Sequence, residues 1–172
     1  MGLQVFDDFV DTYQFRSIES ELMGSYFPWY YNDGIYNIPE PNRFQFIHGF
    51  YKPEVTPHSR WLSLFDYCQQ KLGVKNLRRV KGNLTTRTVF HRRAGMHIDY
   101  PNMTTSILYV NTNNGGTRFK NGEFIKSVAN RLITFDSNLE HEAVTCTDEK
   151  RRVVVNFNYE KYLDSKKGNR CK

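Results

Sequence analysis

Between Val74 and Tyr159 the sequence is a succession of short β-branched or aromatic runs, each closed by turn residues, a pattern that a strand-rich fold explains and a helical one does not. The runs are Arg79 to Phe90, Met96 to Tyr100, Thr104 to Val110, Thr117 to Lys120, Glu123 to Ser127, Arg131 to Asp136, Ala143 to Thr147 and Arg152 to Tyr159. Asn121-Gly122 predicts a two-residue hairpin turn, and Asn113-Asn114-Gly115-Gly116 a loop. Two segments ahead of them read as helices. Val5, Phe6, Phe9, Val10 and Tyr13 fall on one side of a 3.6-residue period, which predicts an amphipathic helix over about residues 4 to 22. Trp61, Leu64, Phe65, Cys68 and Leu72 make a second stripe, with Ser59 as N-cap and Gly73 as the left-handed stop. The expected fold is therefore mainly β with supporting helices: a double-stranded β-helix, the cupin-like jelly roll, with the N-terminal helices packed on one sheet.

The chain of 172 residues is long enough for one domain with a real core. We read a single domain over 1–172, divided into a helical and aromatic-loop part at about 1–73, a β core at about 74–160 and a basic tail at 161–172. The aromatic stretch from Gly24 to Phe46, punctuated by Pro28, Gly34, Pro39 and Pro41, either flaps over a pocket or covers one end of the core. No apolar run approaches a membrane span, and Asp7, Asp8 and Asp11 oppose a signal or transit peptide, so a cytoplasmic protein is expected. Met1-Gly2 is followed by Phe6 where a myristoylation signal needs Ser or Thr. Cys68, Cys146 and Cys171, odd in number and without metal-type spacing, suit free thiols in a reducing compartment.

The last strand carries orientation. Val153, Val155, Phe157 and Tyr159 share one face, suited to contact with the helices, while Arg152, Val154, Asn156 and Asn158 share the other. A polar face turned inward makes sense when the barrel holds a polar ligand. His97 and Asp99 are two residues apart, so on a strand both leave the same face and can grip one ion. A lone His-x-Asp is more often a surface salt bridge or a turn. With a third ligand from a distant strand, for which His141 is the best candidate, it would make a two-histidine, one-carboxylate facial triad for non-haem Fe(II). His48, His58 and His91 read as structural or exposed.

Charge is uneven within a net +6. Lys71, Lys75, Arg78, Arg79, Lys81, Arg87, Arg92 and Arg93 form a run without an acid, suited to an anionic partner such as nucleic acid, although such a run is more often a solvated strand face.

Met96 to Tyr159 resembles the Fe(II)- and 2-oxoglutarate-dependent oxygenases, in particular the prolyl-4-hydroxylase-like branch, and the whole chain is similar to small members carried by marine phages. His97, Asp99 and His141 match that family's iron pattern. The resemblance implies that Arg152 pairs with the distal carboxylate of 2-oxoglutarate and that Tyr109 hydrogen-bonds the same group. Gly115-Gly116 and Arg131-Leu132 also fall where that branch has a Gly-Gly and an Arg-Leu strand. Leu84, Thr85 and Arg87 stand where many prolyl hydroxylases carry Tyr-Pro-Gly. Parity favours Arg152 over Arg151, which shares its face with Val153 and Val155. What the resemblance implies is an Fe(II) dioxygenase that couples decarboxylation of 2-oxoglutarate to succinate with hydroxylation of a substrate C–H bond. It uses molecular oxygen, takes ascorbate as an optional reductant, and acts on a peptide or protein side chain such as proline in the cytoplasm, that of the host where phage-borne. Two alternatives stay open: an oxygenase acting on nucleic acid or a small molecule, and a degenerate jelly-roll binding protein.

Overall fold

The computed structural model describes residues 2–34 and 44–161. In chain order the elements are β1 (Gln4–Phe6), α1 (Thr12–Leu22), β2 (Tyr30–Asn32), β3 (Gln45–Tyr51), a 3-10 turn (Leu62–Phe65), α2 (Asp66–Leu72), β4 (Val74–Thr86), β5 (Thr104–Tyr109), β6 (Gly116–Phe119), β7 (Phe124–Lys126), β8 (Leu132–Asp136), β9 (His141–Val144) and β10 (Arg151–Lys161). They form a seven-stranded antiparallel sheet in the order β1-β8-β5-β10-β4-β3-β2 and a three-stranded sheet in the order β7-β6-β9. This is the expected mainly β jelly roll.

Strand parity decides which side chains meet which layer. On β10, Val153, Val155, Phe157 and Tyr159 join one apolar cluster with Phe15, Ile18 and Leu22 of α1 and with Phe65, Cys68 and Leu72 of the second helical segment. Its alternate residue Val154 joins Ile107 and Tyr109 of β5, Phe119 of β6 and Ile133 and Phe135 of β8 in a second cluster between the sheets. The helices therefore cover one face of the large sheet, as expected from the alternation, and leave the polar residues of β10 facing the small sheet.

Four local expectations are corrected. Residues 4 to 22 are not one helix: Gln4, Val5 and Phe6 pair with Thr134, Ile133 and Leu132, and α1 starts only after Asp11, whose carboxylate accepts the Tyr13 and Gln14 amides, each at 3.1 Å. The apolar spacing that suggested a helix comes instead from a short edge strand followed by a helix. Met96 to Tyr100 is not a strand, since only His97 bridges, to His141. The strand expected from Ala143 lies earlier, at His141–Val144. The Asn121-Gly122 hairpin has a three-residue loop, because Phe119 bonds to Glu123 and only Gly122 (φ 94) adopts positive φ. The second helical stop holds: Gly73 has φ 65 and ψ 45, and Ser59 Oγ accepts the Trp61 amide at 3.3 Å.

Tyr36, Pro39 and Pro41 of the aromatic stretch, and residues 162–172 of the basic tail including Cys171, lie outside the described residues. Cys68 and Cys146 are free and buried; burial pushes the Cys68 thiol up to about 12, which suits an inert core residue. Among the described residues no helix is long and apolar enough to cross a membrane.

Candidate metal centre and its cavity

His97 and His141 are brought together by backbone pairing. The His97 amide donates to the His141 carbonyl at 3.0 Å, and the His141 amide returns the bond at 2.9 Å. Their rings then stand 4.4 Å apart. Each Nδ1 is held by a carbonyl two residues earlier, His97 by Gly95 at 3.1 Å and His141 by Leu139 at 3.0 Å. That contact keeps the proton on Nδ1 and leaves both Nε2 lone pairs facing inward. Asp99 completes the group: its Oδ1 lies 3.9 Å from His97 Nε2 and its Oδ2 lies 3.9 Å from His141 Nε2. One atom from each residue falls within 4.8 Å of the others, so a single ion could reach all three.

A second layer orients the carboxylate. Arg79 Nη2 donates to Asp99 Oδ1 at 3.1 Å, and Asn158 Nδ2 and Thr105 Oγ1 donate to Oδ2 at 3.0 and 3.3 Å. Arg79 Nε also donates to Asn158 Oδ1 at 2.9 Å, which fixes the amide with its NH2 toward Asp99. The electrostatics suit metal capture. Burial pushes the His97 imidazole down to about 4, with His141 adding to the effect, and burial also lowers His141. Burial raises Asp99, but the Arg79 guanidinium, His141 and the Asn158 bond outweigh it and hold the carboxyl below the usual range. At neutral pH the group is two neutral imidazoles and one carboxylate, a donor set that fits a divalent ion with coordination positions to spare.

The trio opens into a cavity of about 580 Å³. On its wall, six residues before Asn158 on the same face of β10, lies Arg152, only 2% exposed. Its Nε donates to Ser127 Oγ at 3.0 Å and its Nη2 to Thr117 Oγ1 at 3.3 Å, and no carboxylate among the described residues pairs with it. Tyr109 is fully buried beneath the guanidinium, 5.6 Å from ring centre to Cζ, and its hydroxyl donates to Thr117 Oγ1 at 2.8 Å. Thr117 rather than Tyr109 therefore lines the cavity. Arg151 points the other way and donates to the Met23 carbonyl beside α1.

The basic run divides. Arg79 and Lys81 line the cavity from within, whereas Arg87, Arg92 and Arg93 are exposed at its mouth, where they form a solvated basic lip. Lys71 and Arg78 turn elsewhere, to the Phe9 carbonyl at 2.7 Å and to the Glu54 carboxylate. The other histidines are structural: His48 is buried with both ring nitrogens bonded, to the Pro28 carbonyl and Ser59 Oγ at 2.8 Å each, His58 makes a tilted ring contact with Tyr51, and exposed His91 bonds the Thr145 carbonyl. Sequence reasoning missed Arg79, Thr105 and Thr117. Alternation on β4 offered a signal for Arg79, because Arg79, Lys81, Asn83 and Thr85 share a parity opposite to Val80 and Leu84.

No family model matches the chain, and no curated relative matches it. Solved structures do. A prolyl-4-hydroxylase from Pseudomonas putida is 15% identical with a TM-score of 0.64, covering 93% of each chain. An oxidoreductase of the 2OG-Fe(II) oxygenase family from Burkholderia pseudomallei is 14% identical with a TM-score of 0.68, covering 94% of this chain and 86% of its own. A prolyl hydroxylase from Trichoplax adhaerens, solved with a hypoxia inducible factor peptide fragment, is 16% identical with a TM-score of 0.66, covering 92% and 83%. At such identities the likeness is one of fold. The chain has the jelly-roll architecture found in these oxygenases, with a His-Asp-His trio that could bind a metal set between its sheets.

Proposed function

We propose that the chain is an Fe(II)- and 2-oxoglutarate-dependent oxygenase in which His97, Asp99 and His141 hold the iron. The observation that carries this reading is Arg152, a guanidinium buried in the same cavity as the trio with hydroxyls but no carboxylate around it. A buried charge without a counterion costs several kcal/mol, so the site is built for an anion that arrives from outside. A dicarboxylate would answer both ends of the site: the Arg152 guanidinium fork, with Thr117 and behind it Tyr109, would hold one carboxylate, and the metal held by the trio would take the other. Bound there, Fe(II) and 2-oxoglutarate would supply oxidative decarboxylation to succinate coupled, with molecular oxygen, to hydroxylation of a C–H bond. The chain's own part is to orient the two imidazoles through Gly95 and Leu139, to keep Asp99 ionised through Arg79, and to exclude water with the apolar layer of Ile107 and Val154.

For the substrate we favour a polypeptide side chain such as proline. One fold neighbour is a prolyl hydroxylase with a peptide fragment bound, and Phe44 at the cavity, with Tyr31 5.7 Å away, offers exposed rings to an extended chain. Anaerobic addition of Fe(II) and 2-oxoglutarate is expected to give the weak visible metal-to-ligand absorption of the chelate, and admission of air should then release succinate. Failure of both would leave a jelly roll that binds without catalysis.

A further inference from the structure

We infer that the substrate is acidic: the chain recognises a polypeptide segment that carries Asp or Glu side chains close to the oxidised residue. This deepens the reading above and rests on it. Among the described residues the cavity wall holds six cations, Arg79, Lys81, Arg87, Arg92, Arg93 and Arg152, against one carboxylate, Asp99. An Fe(II) ion and a 2-oxoglutarate dianion cancel one another, so cofactor and cosubstrate leave that excess of five positive charges untouched. Some of it is already answered. Arg79 is paired with Asp99, and Arg93 lies 3.9 Å from Glu142, a carboxylate that also faces Arg118 at 3.8 Å. Arg87 and Lys81 have no acid within ion-pair distance among the described residues, and burial together with the neighbouring Arg79 charge pushes Lys81 down to about 8.

A second observation also points to a ligand. Thr85 is 9% exposed, lines the cavity, and its Oγ1 has no hydrogen-bond partner; Asn156 Oδ1, on the cavity wall from β10, is likewise buried and unpartnered. Thr85 and Lys81 share the inward face of β4, and Lys81 is the register partner of Asn156. Buried polar atoms of this kind are satisfied in nearly all folded proteins; Thr85, the register partner of Arg152, falls to the cosubstrate, which leaves Asn156 beside Lys81 for a polar group of the substrate.

The distribution of charge favours a carboxylate-bearing peptide over a nucleic acid. Phosphate tracking needs a basic row that continues along the surface. Here two of the outer members of the run are tied up, Lys71 on the Phe9 carbonyl and Arg78 on Glu54, and most of the charge is concentrated in the cavity and on its lip, where exposed Val89 lines the wall with Arg87 and Arg93. A compact anionic side chain carried in by an extended segment fits that arrangement. Val89 on the wall gives the segment an apolar surface to lie on.

The test is binding, read without turnover. Fluorescence anisotropy on the metal-free full chain would compare a labelled proline-containing dodecapeptide rich in Asp and Glu with the same peptide carrying Asn and Gln, and with a twelve-residue oligothymidine. The acidic peptide should bind at least tenfold tighter than its amidated twin. Arg87→Glu combined with Arg93→Glu should weaken it at least tenfold further, and Lys81→Gln several-fold, with circular dichroism checking that each variant folds. Equal binding of the two peptides, no binding of either, indifference to the charge reversal, or tighter binding of the oligothymidine would each overturn the inference. None of these outcomes bears on whether Fe(II) and 2-oxoglutarate form their absorbing chelate, so the oxygenase reading stands or falls separately.

Discussion

Arg79 Nη2 sits 3.1 Å from Asp99 Oδ1 while Arg79 Nε holds Asn158 Oδ1 at 2.9 Å, so one guanidinium fixes both a candidate iron ligand and the amide that supports that ligand's other oxygen. The Asp99 carboxylate is 3% exposed, and this arrangement, together with His141, offsets the burial that would otherwise raise its pKa.

Arg79→Met should therefore weaken divalent metal binding by about tenfold to a hundredfold, the usual cost of removing an outer partner of a metal ligand. Asn158→Ala should do the same more mildly. Titration with Co(II), followed by its visible spectrum, measures both. Unchanged affinity in Arg79→Met would mean that Asn158 and Thr105 orient Asp99 without the guanidinium.

How much of this was legible in the sequence depends on which force set each element. The parity of β10 was readable because one face of that strand is apolar throughout, and burial against α1 and α2 preserves a strict period of two. The triplet of His97 and Asp99 was readable as a pair of ligands but not as irregular backbone. A single bridge to His141 and the bonds to Asp99, not a strand, bring the two side chains together. β1 was not legible, because three residues become a strand only by pairing with Leu132 to Thr134, far along the chain. The inner part of the basic run misled for a related reason, while its exposed members Arg87, Arg92 and Arg93 are the solvated face expected. Alternation put Arg79 and Lys81 inside, but a charged side chain on a strand normally faces water, and only the closed second sheet turns that face into a cavity wall.

His97→Ala, Asp99→Ala and His141→Ala should each abolish the Fe(II)-2-oxoglutarate absorption and succinate release while the protein stays folded. The apolar clusters on either side of the large sheet contain none of the three residues, so the core survives their loss. Thermal unfolding of each variant beside its absorption titration separates the two effects. A variant that retained full iron-dependent turnover would remove that residue from the ligand set.

Arg152→Ala and Arg151→Ala should part company. Arg152 is buried among Ser127, Thr117 and Tyr109, and truncating one partner of a buried charge-assisted pair costs on the order of 2–5 kcal/mol, a loss of 2-oxoglutarate affinity of roughly thirtyfold or more. Arg151 reaches the Met23 carbonyl outside the cavity, so its loss should lower the melting temperature slightly and leave 2-oxoglutarate affinity nearly unchanged. Isothermal titration with 2-oxoglutarate on the metal-loaded protein distinguishes them, and equal effects would contradict the orientation of β10.

The pH dependence follows from His97. Its imidazole is neutral down to about pH 4 in the folded chain because burial and His141 oppose the charge, whereas in the unfolded chain it takes a proton near 6.5. Between those values the unfolded state binds more protons, so stability falls as pH falls, by on the order of 3 kcal/mol across the window, and is unaffected above it. The His141 imidazole, also lowered by burial, acts in the same direction. Denaturant unfolding of the metal-free protein at pH 7.5 and at pH 4.5 should show this loss, and His97→Asn should reduce it. The same displacement protects metal capture: with both imidazoles lowered, Co(II) affinity should fall clearly less between pH 7.5 and 5.5 than for a solvent-exposed histidine pair, which would lose roughly a hundredfold through protonation of both rings. A steep loss of Co(II) binding near pH 6.5 would show that water reaches His97 and His141 freely, and that the cavity is not the dry, oriented site on which the oxygenase reading depends.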